Sequence, residues 1–182
     1  ARNPFSIIIK DKSIAVLNYA DNEFLSSPDG SFVCNAIDPI QCFYDINNAR
    51  KKHDYIIVII HAGNEYFNLP SPRTKQLYRF LIDQGADVIV SHHTHTFSGY
   101  EVYRNKPIFY GLGDFLYDSP GKIDSPWNKG YVVRLQISEI IDFEIIPLKQ
   151  CQEDTGVNHL NLEESEAFFK EINNINKRNV LI

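Results

Sequence analysis

The sequence predicts an α/β domain that becomes α+β in its second half, and three observations carry that expectation. Residues 55–60 and 87–90 are short, continuous apolar runs, and the stretch from Ser71 to Gly85 between them has helical spacing. Strand, helix, strand over this length is a βαβ unit, which requires parallel pairing through a right-handed crossover. Residues 131–137 and part of 142–147 alternate apolar with polar side chains, the period of half-buried antiparallel strands. The chain's 182 residues, 43% hydrophobic and 23% charged, suit one soluble globular domain with a sizeable core.

In chain order, residues 7–9 and 14–19 read as β-branched strands joined by the polar turn Lys10-Asp11-Lys12. Residues 20–37 read as irregular, with the turn cluster Ser26-Ser27-Pro28-Asp29-Gly30 at their centre. A helix follows, with Asp38 as N-cap, Pro39 in the first helical position and Ile40, Phe43 and Ile46 as its inner stripe. The strand at 55–60 has the unbroken apolar character of one buried on both faces of a parallel sheet. Ser71-Pro72 opens the next helix, Leu77, Phe80 and Leu81 form its stripe, and Gly85 closes it before the strand at 87–90. Residues 100–103 and 107–110 form a hairpin around Arg104-Asn105-Lys106. A final helix spans 163–177, capped by Asn161 with Glu164 three residues on, and buries Phe168, Ile172 and Ile175. The whole reads as a single domain over 1–182, in which 148–182 form a carboxy-terminal extension carrying that helix.

A net charge of −5 gives no electrostatic case for nucleic acid or an anionic membrane. The longest apolar run, 56–60, is far too short to span a bilayer, and no signal peptide opens the sequence. The chain contains no methionine and begins Ala1-Arg2-Asn3-Pro4, which reads as the middle of a longer protein. Cys34, Cys42 and Cys151 are odd in number and lack C-x-x-C spacing, so they read as buried apolar residues or free thiols.

The chemistry concentrates where the two apolar strands end. His61 follows the first, and Ser91-His92-His93-Thr94-His95 follows the second, so half of the six histidines fall within four positions. In open α/β sheets, ligands gather at the carboxyl ends of strands. Continued alternation places His93 and His95 on one face and turns His92 to the other. Two imidazoles on one face make half a metal site; the alternative is a loop of solvated histidines. Ala62-Gly63 permits a sharp turn after His61 and leaves Glu65 near it. Glu65 is either a solvated loop acid, a partner orienting a ligand histidine, or an acid/base group. His61, His93 and His95 also satisfy the three-ligand count of a mononuclear zinc hydrolase.

These segments carry a resemblance. The string His61-Ala62-Gly63-Asn64-Glu65-Tyr66 resembles the H-[WG]-G-x-E-[YF] motif of the poly-γ-glutamate capsule biosynthesis (CapA-like, PGA_cap) family. Gly85-Ala86-Asp87 through His92-His93-Thr94-His95 resembles its G-A-D-x-V-x-G-H-H-x-H motif, and Pro107 to Phe115 its closing Y-S-L-G-N-F segment. Asn22-Glu23-Phe24 and Asn35 to Pro39 look like its connecting loops, so the match runs from about Pro4 to Asp118.

The resemblance implies the calcineurin-like metallophosphatase fold, a sandwich of mixed β-sheets flanked by helices, with its amino-terminal part missing here. It implies a divalent metal (manganese, iron or zinc), two ions in the full-length protein, with His61, His93 and His95 as ligands. His92 takes the place of the motif's glycine and is the weakest ligand candidate. His61, Glu65 and His93 are the implied catalytic residues. The implied function is capsule or poly-γ-glutamate synthesis with a metal-dependent, phosphoesterase-like site. The alternative is a non-catalytic polymer-binding or capsule-assembly component on the same fold. Partners would be an anionic polymer or phosphoester and other capsule-synthesis proteins; no oligomeric state follows. The source would be bacterial, in the cytoplasm or at the cell envelope if an upstream anchor exists. The family's G-D and N-N-H-x-x-D motifs are absent from residues 1–60, and with them the bridging carboxylate of a two-metal centre. Asp114 stands where the family has asparagine, as a ligand or a loop-capping acid.

Overall fold

A computed structural model describes residues 3–21, 34–117, 126–150 and 156–180. The turn cluster at 26–30, the loop Asn22-Glu23-Phe24, Asp118 and Cys151 lie outside the described residues. The fold is mixed α+β, with β-sheets flanked by helices. Strands β1 (Phe5–Ile9) and β2 (Lys12–Ala20) form the expected opening hairpin, paired antiparallel. Helix α1 (Pro39–Arg50) then leads to β3 (Tyr55–His61), and helix α2 (Pro72–Asp83) to β4 (Val88–His92). β2, β3 and β4 run parallel, as the βαβ pattern requires.

β5 (Tyr100–Tyr103) and β6 (Lys106–Phe109) make the second hairpin, with Arg104 and Asn105 both at positive φ in its two-residue turn. β6 joins the sheet parallel to β4, giving the order β1-β2-β3-β4-β6-β5. β7 (Lys129–Ile137), β8 (Ile141–Gln150) and β9 (Val157–His159) form a separate antiparallel sheet. The last helix, α3 (Leu162–Asn179), carries the expected capping box between Asn161 and Glu164.

Alternation along the strands sends neighbouring side chains into two cores on opposite faces of the larger sheet. Ile56, Val58, Ile60, Ile89 and Ile108 pack with Ile46 of α1 and Tyr78 and Leu81 of α2. Val88 and Phe109 turn the other way, to Tyr131 of β7 and Phe168, Ile172 and Ile175 of α3. β3 is therefore fully buried on its helical face only; Tyr55, Ile57 and Ile59 on the other face keep partial exposure.

The stripe of α1 differs from the expectation. Ile40 is 70% exposed and Phe43 is also exposed, while Cys42, Ile46 and Ala49 are buried. Steps of three residues lag behind a 3.6-residue turn, so a 40/43/46 row drifts off the axis that 42/46/49 follows. α2 shows a related offset: Lys75, Tyr78, Leu81 and Ile82 are buried, and Leu77 and Phe80 lie at the margin of the core. Cys42 is a buried free thiol and Cys34 an exposed one.

Candidate metal centre

His61 and His92 are register partners at the ends of β3 and β4, so both histidine segments stand side by side on the carboxyl edge of the parallel sheet. The reason that His93 and His95 converge is not the one expected from strand alternation. β4 ends at His92, and His93 (φ 97°) and His95 (φ 56°) both adopt left-handed backbone. Tyr66, in the facing loop, does the same (φ 68°). Non-glycine residues rarely take this conformation, at a cost of about 1–3 kcal/mol each, and such residues cluster at functional sites. The pleat therefore stops one residue too early to orient the pair, and a turn does it instead.

Backbone hydrogen bonds tie the two loops together. Ala62 N–H donates to the His92 carbonyl at 3.2 Å, and Tyr66 N–H donates to the Thr94 carbonyl at 2.8 Å. Gly63 (φ 128°) makes the close approach possible, since a Cβ there would stand 3.1 Å from the Thr94 methyl group. In consequence one ligand atom each from Glu65, His93 and His95 lie within 4.8 Å of one another, Glu65 exposed and both histidines half-buried. Among the described residues this is the one group of three or more such donors.

His61 is exposed and its ring centroid lies 5.0 Å from that of His93, beside the three donors rather than among them. His92 is half-buried, and burial, then the neighbouring His61, holds its imidazole below the usual histidine range. All four histidines line one cavity of about 530 Å³, together with Leu112 and Asp114.

Asp114 reaches the site from the segment after β6. Gly113 (φ 75°) lets that segment lie against β7, where a Cβ would come within 2.8 Å of the Lys129 carbonyl. Asp114 Oδ1 accepts a 2.9 Å hydrogen bond from His95 Nδ1, while Oδ2 is buried with no hydrogen-bond partner. With an ionised carboxylate as acceptor, the proton sits on Nδ1 and Nε2 keeps its lone pair for a ligand. Trp127, the chain's single tryptophan, lies in no motif that marks it for the site. It stacks on His95 (5.2 Å, 19°) and on Tyr66 (4.6 Å, 10°), and Tyr117 meets His95 edge-on at 5.3 Å. No local spacing betrays it, because it lies 32 residues beyond His95 in a 3₁₀ turn just before β7.

Comparison with known proteins places these residues in a family context. The family model described as bacterial capsule synthesis protein PGA_cap matches residues 1–119. The PGA biosynthesis protein CapA of Bacillus subtilis (strain 168) is 47% identical over 73 residues, 40% of this chain and 19% of that protein. The capsule biosynthesis protein CapA of Bacillus anthracis is 46% identical over 65 residues, 36% of this chain and 16% of that protein. A probable polyglutamine synthesis accessory protein of Mycobacterium tuberculosis (strain ATCC 25618 / H37Rv) is 35% identical over 107 residues, 55% of this chain and 28% of that protein. The chain thus spans under a third of the length of these bacterial relatives. Among solved structures, a hypothetical protein from Thermus thermophilus shares the fold at TM-score 0.50 and 12% identity, over 80% of this chain and 62% of that one. Among the described residues, no helix is long and apolar enough to cross a membrane. The motifs at His61–Tyr66 and Gly85–His95 lie inside the matched region, which covers more than half the sequence, and the chain belongs to the PGA_cap family of bacterial capsule synthesis proteins.

Proposed function

We propose that this chain carries the metal-binding part of a phosphoesterase-like site in a capsule-synthesis protein, on a calcineurin-like fold. The convergence of Glu65, His93 and His95 within 4.8 Å carries the reading. One carboxylate and two imidazoles suit manganese, iron or zinc. Ligand atoms around one ion with bonds of about 2.0–2.2 Å lie about 3–4 Å apart, and the exposed Glu65 side chain has the freedom to close the remainder. An ion bound there supplies Lewis acidity toward a phosphoryl oxygen.

The chain's own residues do the rest. Asp114 holds the proton on His95 Nδ1 and fixes its ring. In this reading His61, exposed and with its ring 5.0 Å from that of His93, exchanges a proton with a leaving-group oxygen. Glu65 serves as ligand in this arrangement, in place of the ligand role expected for His61. A second ion, an anionic polymer or phosphoester substrate, and capsule-assembly partners are properties proposed for the whole protein.

A second reading rests on the donor count. Three donors with one carboxylate hold a single ion, and such a centre suits a polymer-binding or assembly component as well as an enzyme. Both readings require the ion. Titration of the purified chain with Mn²⁺ or Zn²⁺, followed by calorimetry, should give one site, and His93→Ala with His95→Ala should abolish it. Unchanged stoichiometry in the double variant would defeat both.

A further inference from the structure

Trp127 touches both loops of the donor cluster through its ring. Its partners are Tyr66, next to Glu65, and His95, itself a donor. The Tyr66 and His95 centroids stand only 6.5 Å apart, with their planes 29° from one another. That separation falls far short of the two stacking distances of 4.6 and 5.2 Å placed end to end. The two rings therefore lie side by side over one face of the indole rather than sandwiching it.

The stacked residues are also two of those held in left-handed backbone, Tyr66 at φ 68° and His95 at φ 56°. Such conformations persist where surrounding contacts over-determine them. The backbone bond from Tyr66 N–H to the Thr94 carbonyl joins the same two loops. Trp127 is itself anchored from outside the cluster. Gln150 Nε2 donates to its carbonyl at 2.8 Å, and Gln150 Oε1 accepts from Tyr117 N–H at 2.6 Å. Tyr117 in turn stands edge-on to the indole at 6.1 Å and to His95 at 5.3 Å. One end of the smaller sheet thus braces an aromatic plate against the site.

We propose that Trp127 is a positioning residue: one face of its indole clamps the loop bearing Glu65 to the loop bearing His95, and so holds the metal donors together. The idea rests on the metal-site reading for its purpose, but the clamp itself is testable without metal. Trp127→Leu removes the flat face while keeping an apolar side chain, and Trp127→Phe retains a stacking ring. Tyr66→Leu against Tyr66→Phe makes the same comparison at a side chain that is 54% exposed, with the hydroxyl that meets Glu65 absent from both.

Amide hydrogen exchange of the metal-free chain is measured over 62–66 and 92–96, with β7 and β8 as the folding control. Mn²⁺ affinity is measured in parallel by the loss of the free-ion paramagnetic resonance signal. Trp127→Leu and Tyr66→Leu should speed loop exchange about tenfold and spare the control strands. Both should weaken Mn²⁺ binding about tenfold, as for other partners that orient a ligand histidine, with Trp127→Phe close to wild type and Tyr66→Phe binding more tightly than Tyr66→Leu. Unchanged loop exchange in both Leu variants overturns the clamp, whatever the metal does. Faster exchange with unchanged Mn²⁺ affinity overturns the positioning role. Faster exchange in a wild-type background that binds no Mn²⁺ upholds the clamp and removes the metal reading instead.

Discussion

Asp114 and His95 show how one hydrogen bond can prepare a candidate ligand. With an ionised carboxylate as acceptor, the 2.9 Å contact from Nδ1 to Oδ1 favours the tautomer whose Nε2 keeps its lone pair. Asp114→Ala frees the ring to rotate and to choose its tautomer, and should weaken divalent-metal binding about 10- to 100-fold. Asp114→Asn keeps an oxygen that accepts from Nδ1–H, so its loss should be several-fold smaller. Competition with a chromophoric chelator measures both, and equal affinity in wild type and Asp114→Ala would show that the contact does not prepare His95. The sequence marked this residue only as an acid where asparagine is usual, with two roles open. Its partner could not be read, because the bond joins positions 19 apart through a glycine-dependent approach to β7.

At the scale of elements, α2 is locked to the β5–β6 hairpin by a polar cluster. Arg79 donates to Glu101 through Nε at 2.8 Å and Nη2 at 2.6 Å, and Tyr110 Oη donates to the same carboxylate at 2.7 Å. Burial pushes the Glu101 carboxyl up, but the Arg79 and Tyr110 hydrogen bonds outweigh it and hold it below its ordinary value of 4.5. A carboxylate depressed in the folded state contributes stability above its unfolded pKa and loses it as pH falls through the folded value. Glu101→Gln should therefore cost about 1.5–3 kcal/mol near neutrality, the range for hydrogen bonds to charged groups. The deficit should shrink below about pH 4.5, where wild type loses the same contribution. Urea unfolding at pH 7 and pH 4 checks this; a deficit that does not depend on pH would assign the cost to packing. Elements of this kind were legible where the signal is local. Asp38-Pro39, Ser71-Pro72 and Asn161 with Glu164 cap their helices as expected. Misreadings came where a tertiary surface decides which turn of a periodic row faces inward, as in α1. They also came where strand geometry was carried past its end, as at His93 and His95.

On the scale of the molecule, two cores pack on opposite faces of one sheet behind the histidine edge, and the histidines line a cavity. The mixed fold was legible because its βαβ unit and hairpins are written in contiguous runs. The aromatic plate on the site was not, since it depends on where the second sheet docks. That architecture separates holding an ion from turning over a substrate. Binding needs the three donors that converge here, whereas in-line phosphoryl displacement by a two-ion centre needs further carboxylates to bridge and complete it. The 182 residues alone should therefore bind one divalent ion per chain yet show no phosphodiesterase turnover above that of the free ion. Hydrolysis of bis-p-nitrophenyl phosphate in saturating Mn²⁺, with His93→Ala/His95→Ala as the blank, makes the measurement. Turnover that disappears in the blank would mean that one ion suffices, and would shift the proposal to a mononuclear hydrolase. Turnover equal to the blank, with metal binding intact, is the expected outcome and would show that holding the ion does not by itself give turnover.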